Sequence, residues 1–342
     1  MNILSLFDGI SCARVALERS GMKVDKYYSS EVDKYAIDIS KKNWPDIIQM
    51  GDVKWLTGSL LTPIDLLIGG SPCQDLSIAK QNRKGLSGER SGLFWEYVRI
   101  LKEVNPRWFV LENVASMSKE SKQIITEALG VQPIMINASL VSAQNRKRLF
   151  WTNIPNVTLP EDRGILLKDI LEENVDEKYN INLSEKYGLK GLCEDKAKSL
   201  TASSYKGYGN DGVFLIRIGQ IGKGGQGDRI YSPEGKSVGL SALGGGRGAK
   251  TGLYMIQTPR GNNNGGIKAI DGKTPTMSAS SWEDNNKLYK DGLIRKLTPI
   301  ECERLQGLPD NYTEGVSNTQ RYKMLGNAFN VDVVAHILKH IV

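Results

Sequence analysis

The feature that most constrains the fold is an alternation, over the first 155 residues, of short apolar runs with helix-like segments. In chain order, the runs and segments occupy residues 2–7, 13–20, 27–30, 34–41, 64–68, 93–104 and 108–111. Strands that alternate with helices indicate βαβ units, which build a parallel sheet covered by helices. The sequence therefore predicts an open α/β sheet for this part of the chain.

A second part of the chain is set apart by its glycine content. Of the 36 glycines, 20 fall between residues 201 and 292. Three similar segments start in or beside this part, at residues 198, 236 and 273, and each is followed by a glycine-rich loop and a strand-like run. Repeats of this kind predict a small, mostly β domain, although a repeated β-hairpin without a ligand is an equally simple interpretation.

These patterns predict a division into four segments. The first domain spans residues 1–165, a charged and helix-prone linker follows at 166–190, and the glycine-rich domain occupies 191–292. Residues 293–342 are helical again, with a helix start near Pro299 and a closing amphipathic helix at 331–341. We expect the linker to be a solvated bridge rather than part of a core.

Charge and cysteine content restrict the class of protein. The chain has 45 Lys plus Arg against 38 Asp plus Glu, a formal net charge of +7, which favours a polyanionic partner. No apolar run approaches the roughly 18 residues of a membrane helix, and no secretory signal is recognisable, so we expect a cytoplasmic protein. The four cysteines form no C-x-x-C pair and the chain has only two histidines, so we expect neither a disulfide scaffold nor a metal site.

Polar or flexible residues follow the apolar runs of the first domain. The first run ends in Phe7-Asp8-Gly9, the second in Glu31, and a third short segment in Gly51-Asp52. Open parallel sheets bind ligands outside the carboxyl ends of their strands. Glu31 lies 22 residues beyond Gly9, an interval that suits a carboxylate binding both hydroxyls of a ribose. The sequence therefore predicts an adenosine-type site at this edge.

Reactive groups follow the next two runs. Cys73 stands after two glycines and Pro72, where a thiol facing a ligand cleft suits a nucleophile, and Glu112 follows the run at 108–111 as a candidate acid or hydrogen-bond partner. Arg146 and Arg148 would clamp an anionic group of a substrate. Taken singly, a buried thiol, a surface carboxylate and a solvated basic run are the simpler interpretations.

Three attractive patterns are rejected. Residues 222–227 spell G-x-G-x-x-G, but no helical pattern follows them, and residues 244–251 nearly spell a P-loop except that Ala249 replaces the glycine before Lys250. His336 and His340 share a helical face without the glutamate of H-E-x-x-H. We predict loops for the first two patterns and ordinary helix residues for the histidines.

The order of the remaining motifs resembles that of the carbon-5 cytosine DNA methyltransferases over nearly the whole chain, apart from the glycine-rich part. Eight segments match in sequence, at residues 5–10, 30–33, 51–52, 70–74, 112–114, 144–148, 295–309 and 320–328. The resemblance implies a Rossmann-like, S-adenosylmethionine-dependent methyltransferase domain. It also implies that the glycine-rich part is a target-recognition domain.

The resemblance further implies a mechanism. The Cys73 thiolate would add to carbon 6 of cytosine and make carbon 5 nucleophilic towards the methyl group of S-adenosylmethionine. Glu112 would bind the ring nitrogen N3 and the exocyclic amine, while Arg148 and Arg146 would hold the base carbonyl and orient Glu112. The cytosine must first be flipped out of the duplex, and residues 84–92 have the composition of a lid.

The same resemblance implies the cofactor site. Phe7 would stack on adenine, Glu31 would bind the ribose, and Asp52 would contact the adenine amine. The residues expected to bind the cofactor are Phe7, Asp8, Gly9, Glu31, Val32, Asp52, Pro72, Leu93 and Asn327. Because Asn327 lies near the end of the chain, the last helix is expected to pack back onto the first domain.

The expected partner is double-stranded DNA, read at a specific sequence by a monomer. A transfer-RNA cytosine methyltransferase and a catalytically silent DNA-binding relative remain alternatives. The long recognition region argues against the first, and the intact Pro72-Cys73 pair argues against the second. The motifs leave open whether a cognate restriction endonuclease accompanies the enzyme, as in a restriction-modification system, and whether its host is a bacterial cell or a phage-infected one.

Overall fold

The computed structural model describes residues 1–72, 92–179, 217–220, 229–231, 254–257, 266–269, 274–275, 287–290 and 293–341. The chain divides into two compact units. The first comprises Met1–Leu171, Lys273–Ser281 and Pro299–Val342, and the second comprises Glu172–Gly272 and Trp282–Thr298. Several predicted features lie outside the described residues, namely Cys73, Cys193, residues 84–91 of the lid, and the patterns at 222–227 and 244–251.

A twisted sheet organises the first unit. Its strands are β1 (Asn2–Leu6), β2 (Lys26–Ser30), β3 (Ile48–Gln49), β4 (Leu66–Gly69), β5 (Trp108–Val114), β6 (Ile134–Asn137) and β8 (Lys147–Thr152). Within the described part of the chain, these seven strands take the order β3-β2-β1-β4-β5-β8-β6. The first five run parallel to their neighbours, and β8 runs antiparallel to both β5 and β6. The carboxyl ends of the five parallel strands therefore meet at one edge.

Helices cover this sheet. They are α1 (Cys12–Arg19), α2 (Lys34–Asn43), α3 (Leu93–Val104), α4 (Lys119–Leu129), α5 (Pro299–Gln306), α6 (Asn318–Asn327) and α7 (Val331–Leu338). The amphipathic α3 buries Phe94, Tyr97 and Val98 against the sheet core. As the resemblance implied, the closing helix α7 packs on α1. No helix in the described ranges is long and apolar enough to span a membrane.

The predicted alternation of strands and helices is confirmed, with one difference that affects the site. The strand predicted at 108–111 extends to Val114, because the antiparallel neighbour β8 continues to pair with it. Glu112 therefore lies inside β5, opposite Phe150, and does not follow the end of the strand. Neither β6 nor β8 was predicted from the sequence.

The predicted linker differs from a solvated bridge at its start, where Ile170 is buried. Two short 3-10 helices, Leu167–Ile170 and Glu177–Tyr179, replace the expected helix-prone stretch. Ile170 is buried, and its carbonyl accepts a hydrogen bond from Arg304 Nη1 at 3.0 Å. The buried Ile170 side chain and this hydrogen bond tie the start of the linker to the core of the first unit.

The described pieces of the second unit are strands. An antiparallel sheet joins β11 (Tyr254–Gln257), β12 (Gly266–Ala269), β14 (Lys287–Lys290) and β15 (Leu293–Lys296), and β9 (Arg217–Gln220) pairs with β10 (Arg229–Tyr231). A short β13 (Thr274–Pro275) lies within the predicted recognition domain, yet it pairs in parallel with β7 (Gln144–Asn145) and belongs to the first unit. The domain boundaries drawn from the sequence stay predictions.

Candidate active site

The turn between β1 and α1 is built from left-handed backbone. Phe7, Gly9 and Ser11 have φ values of 56°, 58° and 59°. For the two residues with side chains this conformation costs energy, so the surrounding structure must hold it in place. A Cβ built on Gly9 would meet nothing within 4 Å. The turn therefore leaves open space beside Gly9 at the edge where the parallel strands end.

The side chain of Asp8 lies beneath this turn. Its carboxylate accepts hydrogen bonds from the hydroxyls of Ser5 and Ser11, both at 2.5 Å, of Tyr27 at 2.7 Å, and of Ser29 at 2.8 Å. Burial raises the pKa of Asp8 above its usual range, although the four hydroxyl donors oppose this shift. Asp8 was predicted to bind the cofactor, whereas its carboxylate is used inside the protein to fix the turn.

Glu31 is held by backbone N–H groups at the end of β2. Its Oε2 accepts from Gly9 at 2.8 Å, and its Oε1 accepts from Val32 at 2.7 Å and Asp33 at 2.8 Å. Since each carboxylate oxygen has about two acceptor positions, Oε2 retains capacity for a hydroxyl group. Val32 beside it is 69% exposed and presents an apolar surface. Gly9 and Glu31, which are 22 residues apart, are thus joined by a hydrogen bond from the Gly9 N–H to the Glu31 carboxylate.

Asp52 lies three residues beyond the end of β3, the strand that pairs with β2. It is half-buried and caps a short 3-10 helix, Val53–Trp55, by accepting a hydrogen bond from the Lys54 N–H at 3.0 Å. The carboxylate is therefore held at the same edge of the sheet as Glu31, because β2 and β3 are parallel neighbours.

The end of β4 is closely packed. A Cβ on Gly70 would lie 2.7 Å from Phe329 Cε1 and 3.2 Å from Glu112 Oε2, so only glycine fits without displacement. The next residue, Ser71, is buried and is fixed by Asn113 Nδ2, which donates to Ser71 Oγ at 3.0 Å. Pro72 is half-buried and directly precedes Cys73 in the sequence. The peptide leading to Cys73 is thereby held against the strand that bears Glu112.

Glu112 and Arg148 form an ion pair at this edge. Arg148 Nε lies 2.7 Å from Glu112 Oε1, and the two side chains are only 15% and 14% exposed. Because Glu112 lies opposite Phe150 and Arg148 opposite Val114, the two side chains are diagonal neighbours on one face of the sheet. An ion pair at this distance between two mostly buried side chains restricts the orientation of the carboxylate. The pair lines a small cleft together with Ile136, Ala138, Arg146, Phe150, Phe329, Asn330 and Val333.

Arg146 is bonded to the end of α6 and not to Glu112. Its side chain is buried, and its guanidinium donates to the carbonyl of Ala328 at 2.9 Å and to that of Gly326 at 3.3 Å. Asn327, which lies between those two carbonyls, is exposed. The two arginines that the sequence assigned together are thus bonded to different elements, Arg148 to Glu112 and Arg146 to the end of α6.

The sequence interpretation missed several residues of the site. Phe329 gave no local signal, because its contact with Gly70 joins residues far apart in the chain. The hydroxyls around Asp8 left a weak signal, since Ser5 and Ser29 are polar residues inside strands that are otherwise apolar and buried. Asn113 was quoted in a motif but given no role.

His336 lies on α7 as predicted, whereas His340 lies two residues beyond the end of that helix at Leu338. His336 Nε2 donates to the Thr158 carbonyl at 2.8 Å, and His340 Nδ1 donates to the carbonyl of His336 at 3.0 Å. Among the described residues, no group of three His, Cys, Asp or Glu side chains is arranged to hold a metal ion. The site is therefore built from carboxylates, arginines and backbone N–H groups.

The sheet order and the site at the carboxyl ends of its parallel strands define a Rossmann-like α/β fold. The chain belongs to the family of C-5 cytosine-specific DNA methylases, whose model matches residues 1–342. The resemblance inferred from eight ordered motifs is confirmed. The protein is therefore an enzyme that transfers the methyl group of S-adenosylmethionine to carbon 5 of cytosine in DNA.

Individual relatives agree with this assignment. The chain is 27% identical to the orphan methyltransferase M.SPRI of Bacillus phage SPR over an alignment covering 100% of this chain and 97% of the relative. It is 28% identical to the type II methyltransferase M.HhaI of Haemophilus parahaemolyticus, covering 100% and 94%. Among solved structures, the methyltransferase EhMeth of Entamoeba histolytica aligns with a TM-score of 0.60 and 18% identity over 99% of this chain and 97% of that chain, a likeness of fold.

Proposed function

We propose that the enzyme methylates a flipped cytosine within a specific sequence of duplex DNA, with Cys73 as the nucleophile and Glu112 as the group that binds the ring. One observation carries this proposal. The Glu112 carboxylate, oriented by Arg148, lies 3.2 Å from the position of a Cβ on Gly70, three residues before Cys73 in the chain. A ring held by Glu112 is then within the reach of a side chain that follows the end of β4.

The proposed reaction is an addition to the cytosine ring followed by an elimination from it. The Cys73 thiolate forms a bond to carbon 6, and the electron pair moves into the ring, which makes carbon 5 nucleophilic. S-adenosylmethionine, when bound, would supply an electrophilic methyl group to carbon 5, and the electron pair of the broken sulfur–methyl bond would stay with S-adenosylhomocysteine. A base then removes the carbon-5 proton, the electron pair returns to the ring, and the thiolate leaves carbon 6. The Cys73 thiolate is thereby regenerated.

Glu112 and Arg148 lower the barrier to the first step in this scheme. Negative charge develops on N3 as the thiolate adds, and a proton passed from Glu112 to N3 neutralises it, while the exocyclic amine donates a hydrogen bond to the other carboxylate oxygen. Arg148 keeps the carboxylate in that orientation at 2.7 Å and presents a positive charge towards the base carbonyl. Because the pair is mostly buried, its hydrogen bonds act in a medium of low dielectric constant.

The residues at the edge fit the adenosyl part of the methyl donor. Open space beside Gly9, free acceptor capacity on Glu31 and the apolar surface of Val32 support a site for ribose and adenine. Phe7 is partly buried against the core and would stack on the adenine, with Asp52 binding its amine. The proposed cofactor-binding residues remain Phe7, Asp8 through its support of the turn, Gly9, Glu31, Val32, Asp52, Pro72, Leu93 and Asn327.

The partner proposed is double-stranded DNA read by the region at 191–292. A stacked cytosine cannot reach Glu112, so the base must leave the duplex, and the net charge of +7 supports binding to a polyanion. We propose that the enzyme acts as a cytoplasmic monomer, because one flipped base needs one site. The relatives include an orphan methyltransferase and a type II methyltransferase. Sequencing the genes that flank this one would test whether a restriction endonuclease accompanies the enzyme.

Incubation with S-adenosylmethionine and DNA of mixed sequence, read by bisulfite sequencing, tests the proposal. The expected result is 5-methylcytosine at a defined motif with the wild type and none with Cys73→Ser. Both proteins should bind S-adenosylmethionine in calorimetry, which excludes misfolding as the cause. Methylation by the Cys73→Ser variant would contradict the nucleophile, and methylation of transfer RNA in place of DNA would contradict the substrate.

A further inference from the structure

We propose that Arg146 is a positioning residue that fixes the cofactor-binding end of α6 to the strand segment carrying Arg148. The inference rests on the proposed role of Asn327 in cofactor binding. It departs from the sequence-based expectation that Arg146 touches the base. Arg146 acts, in this view, on the affinity for S-adenosylmethionine rather than on the chemical step.

The first step of the argument is the end of α6. The last carbonyls of a helix have no partner within it, and a positive charge there is favoured by the helix dipole. The Arg146 guanidinium donates to Gly326 and Ala328, and Gln306 Nε2 donates to the Leu325 carbonyl at 2.6 Å. Side chains from elsewhere in the first unit therefore hold three carbonyls in the turn of backbone around Asn327.

The second step is the planarity of the guanidinium. Two carbonyls separated by one residue are bridged by a fork of N–H donors, which a lysine ammonium does not reproduce. Because Arg146 is only 3% exposed and Gly326 is buried, loss of the bond to Gly326 leaves a carbonyl with little access to water. The fork thus determines where the backbone places the exposed Asn327 side chain.

The third step is the position of Arg146 along the chain. It lies two residues before Arg148, and its N–H donates to Asn137 Oδ1 at 2.9 Å, which anchors it to the end of β6. Arg148 pairs with Glu112 on the neighbouring strand. One short segment therefore holds the carboxylate proposed to bind the base and the helix end proposed to bind the cofactor.

The test compares Arg146→Lys with Arg148→Lys. We expect Arg146→Lys to raise the Kd for S-adenosylmethionine about tenfold in calorimetry, and to leave the single-turnover rate at saturating cofactor within about threefold of the wild type. Arg148→Lys should show the reverse pattern. Arg304→Lys is the control, because it disturbs guanidinium bonds to the Ile170 carbonyl and to Asp310 that do not involve α6 or the cleft, and its Kd should equal that of the wild type.

Two results would overturn the proposal. If Arg146→Lys leaves the Kd unchanged and slows the single-turnover rate, Arg146 acts on the base. If it changes neither the Kd nor the rate, Arg146 has no role in cofactor binding or in the reaction. Asn327→Ala separates this inference from the function on which it rests. If that variant binds S-adenosylmethionine as the wild type does, the role of Asn327 fails. If it binds weakly, the effects of Arg146→Lys and Asn327→Ala on Kd should be less than additive.

Amide hydrogen exchange of the wild-type protein provides a second measurement should the Arg146 variants not fold. Saturating S-adenosylmethionine is expected to slow exchange in the peptide at 144–148 together with that at 326–330. Protection of 326–330 without any change at 144–148 would contradict a mechanical link between the two segments.

Discussion

Arg148 Nε lies 2.7 Å from Glu112 Oε1, across two antiparallel strands that meet at the edge where the parallel strands of the sheet end. The pair joins a residue within β5 to one near the start of β8. Both side chains are mostly buried, at 15% and 14% exposure, and both line the cleft. The geometry of the pair is therefore expected to control the orientation of any ring that Glu112 binds.

Removal of the Glu112 charge should slow methyl transfer without weakening cofactor binding. For Glu112→Gln we expect kcat to fall about 10²- to 10³-fold, the range found when a group that stabilises developing charge is removed. Calorimetry should give a Kd for S-adenosylmethionine close to that of the wild type. Glu103→Gln is the control, because Glu103 also pairs with an arginine at 2.7 Å, on the exposed face of α3. A normal rate in Glu112→Gln would exclude Glu112 from the reaction.

How far the sequence predicts this site depends on the distance along the chain between the interacting residues. Helix α3 is predicted at its observed bounds, because its helical period and its flanking turn residues are local. The spacing of Arg146 and Arg148 is also local, and the sequence assigns the two arginines together. Their partners are not, because Glu112 and Ala328 come from distant segments of the chain. The motif order identifies which residues assemble, and the structure adds which of them touch.

The antiparallel strand β8 shows the same limit. Its sequence reads as a basic run followed by apolar residues, and nothing local indicates that it inserts between β5 and β6. Its pairing lengthens β5 by three residues and places Glu112 inside a strand. Strand pairing is decided by burial and hydrogen bonding between remote segments, which periodicity alone does not reveal.

Gly70 should be intolerant of any side chain. A Cβ there would lie 2.7 Å from Phe329 and 3.2 Å from Glu112 Oε2, so Gly70→Ala must displace one or both groups. Misplacement of a reacting group by about 1 Å costs on the order of 10²-fold in rate, and we expect kcat to fall by about that factor. The measurement is single-turnover methylation at saturating cofactor and DNA.

Gly130→Ala is the matched control for this substitution. Gly130 ends α4 with φ of +71° and has open space around it, so alanine should cost about 1 kcal/mol in unfolding free energy without changing the rate. Equal rates for Gly70→Ala and the wild type would mean that Glu112 and Phe329 do not need their observed positions.

Glu31 should matter for the cofactor and not for the chemical step. In Glu31→Gln the amide retains one acceptor oxygen in place of two, so the bonds to Gly9, Val32 and Asp33 compete with those to a ribose. We expect the Kd for S-adenosylmethionine to rise about 10-fold or more, since hydrogen bonds to charged groups are the stronger ones. Asp38→Asn, on the exposed side of α2, is the control and should bind normally. Unchanged affinity in Glu31→Gln would refute the ribose assignment.

The buried carboxyl of Asp8 should leave a signature in the dependence of stability on pH. Burial raises the pKa of Asp8 in the folded protein above the ordinary value of 3.8, against the effect of its hydroxyl donors. The folded state then binds more protons than the unfolded state at pH values between 3.8 and the raised pKa of Asp8. This group therefore adds most to the unfolding free energy below 3.8, and its contribution declines as the pH rises through that window.

Urea unfolding of the wild type and of Asp8→Asn at several pH values measures this contribution. The advantage of the wild type over Asp8→Asn should shrink as the pH is raised across the window, because the variant has no proton to lose at that site. Asp25→Asn should show the opposite sign, since the amino terminus bonds to Asp25 and lowers its pKa, so that the advantage of the wild type is lost on acidification. An advantage over Asp8→Asn that is independent of pH would show that the buried carboxyl titrates alike in the folded and unfolded chains.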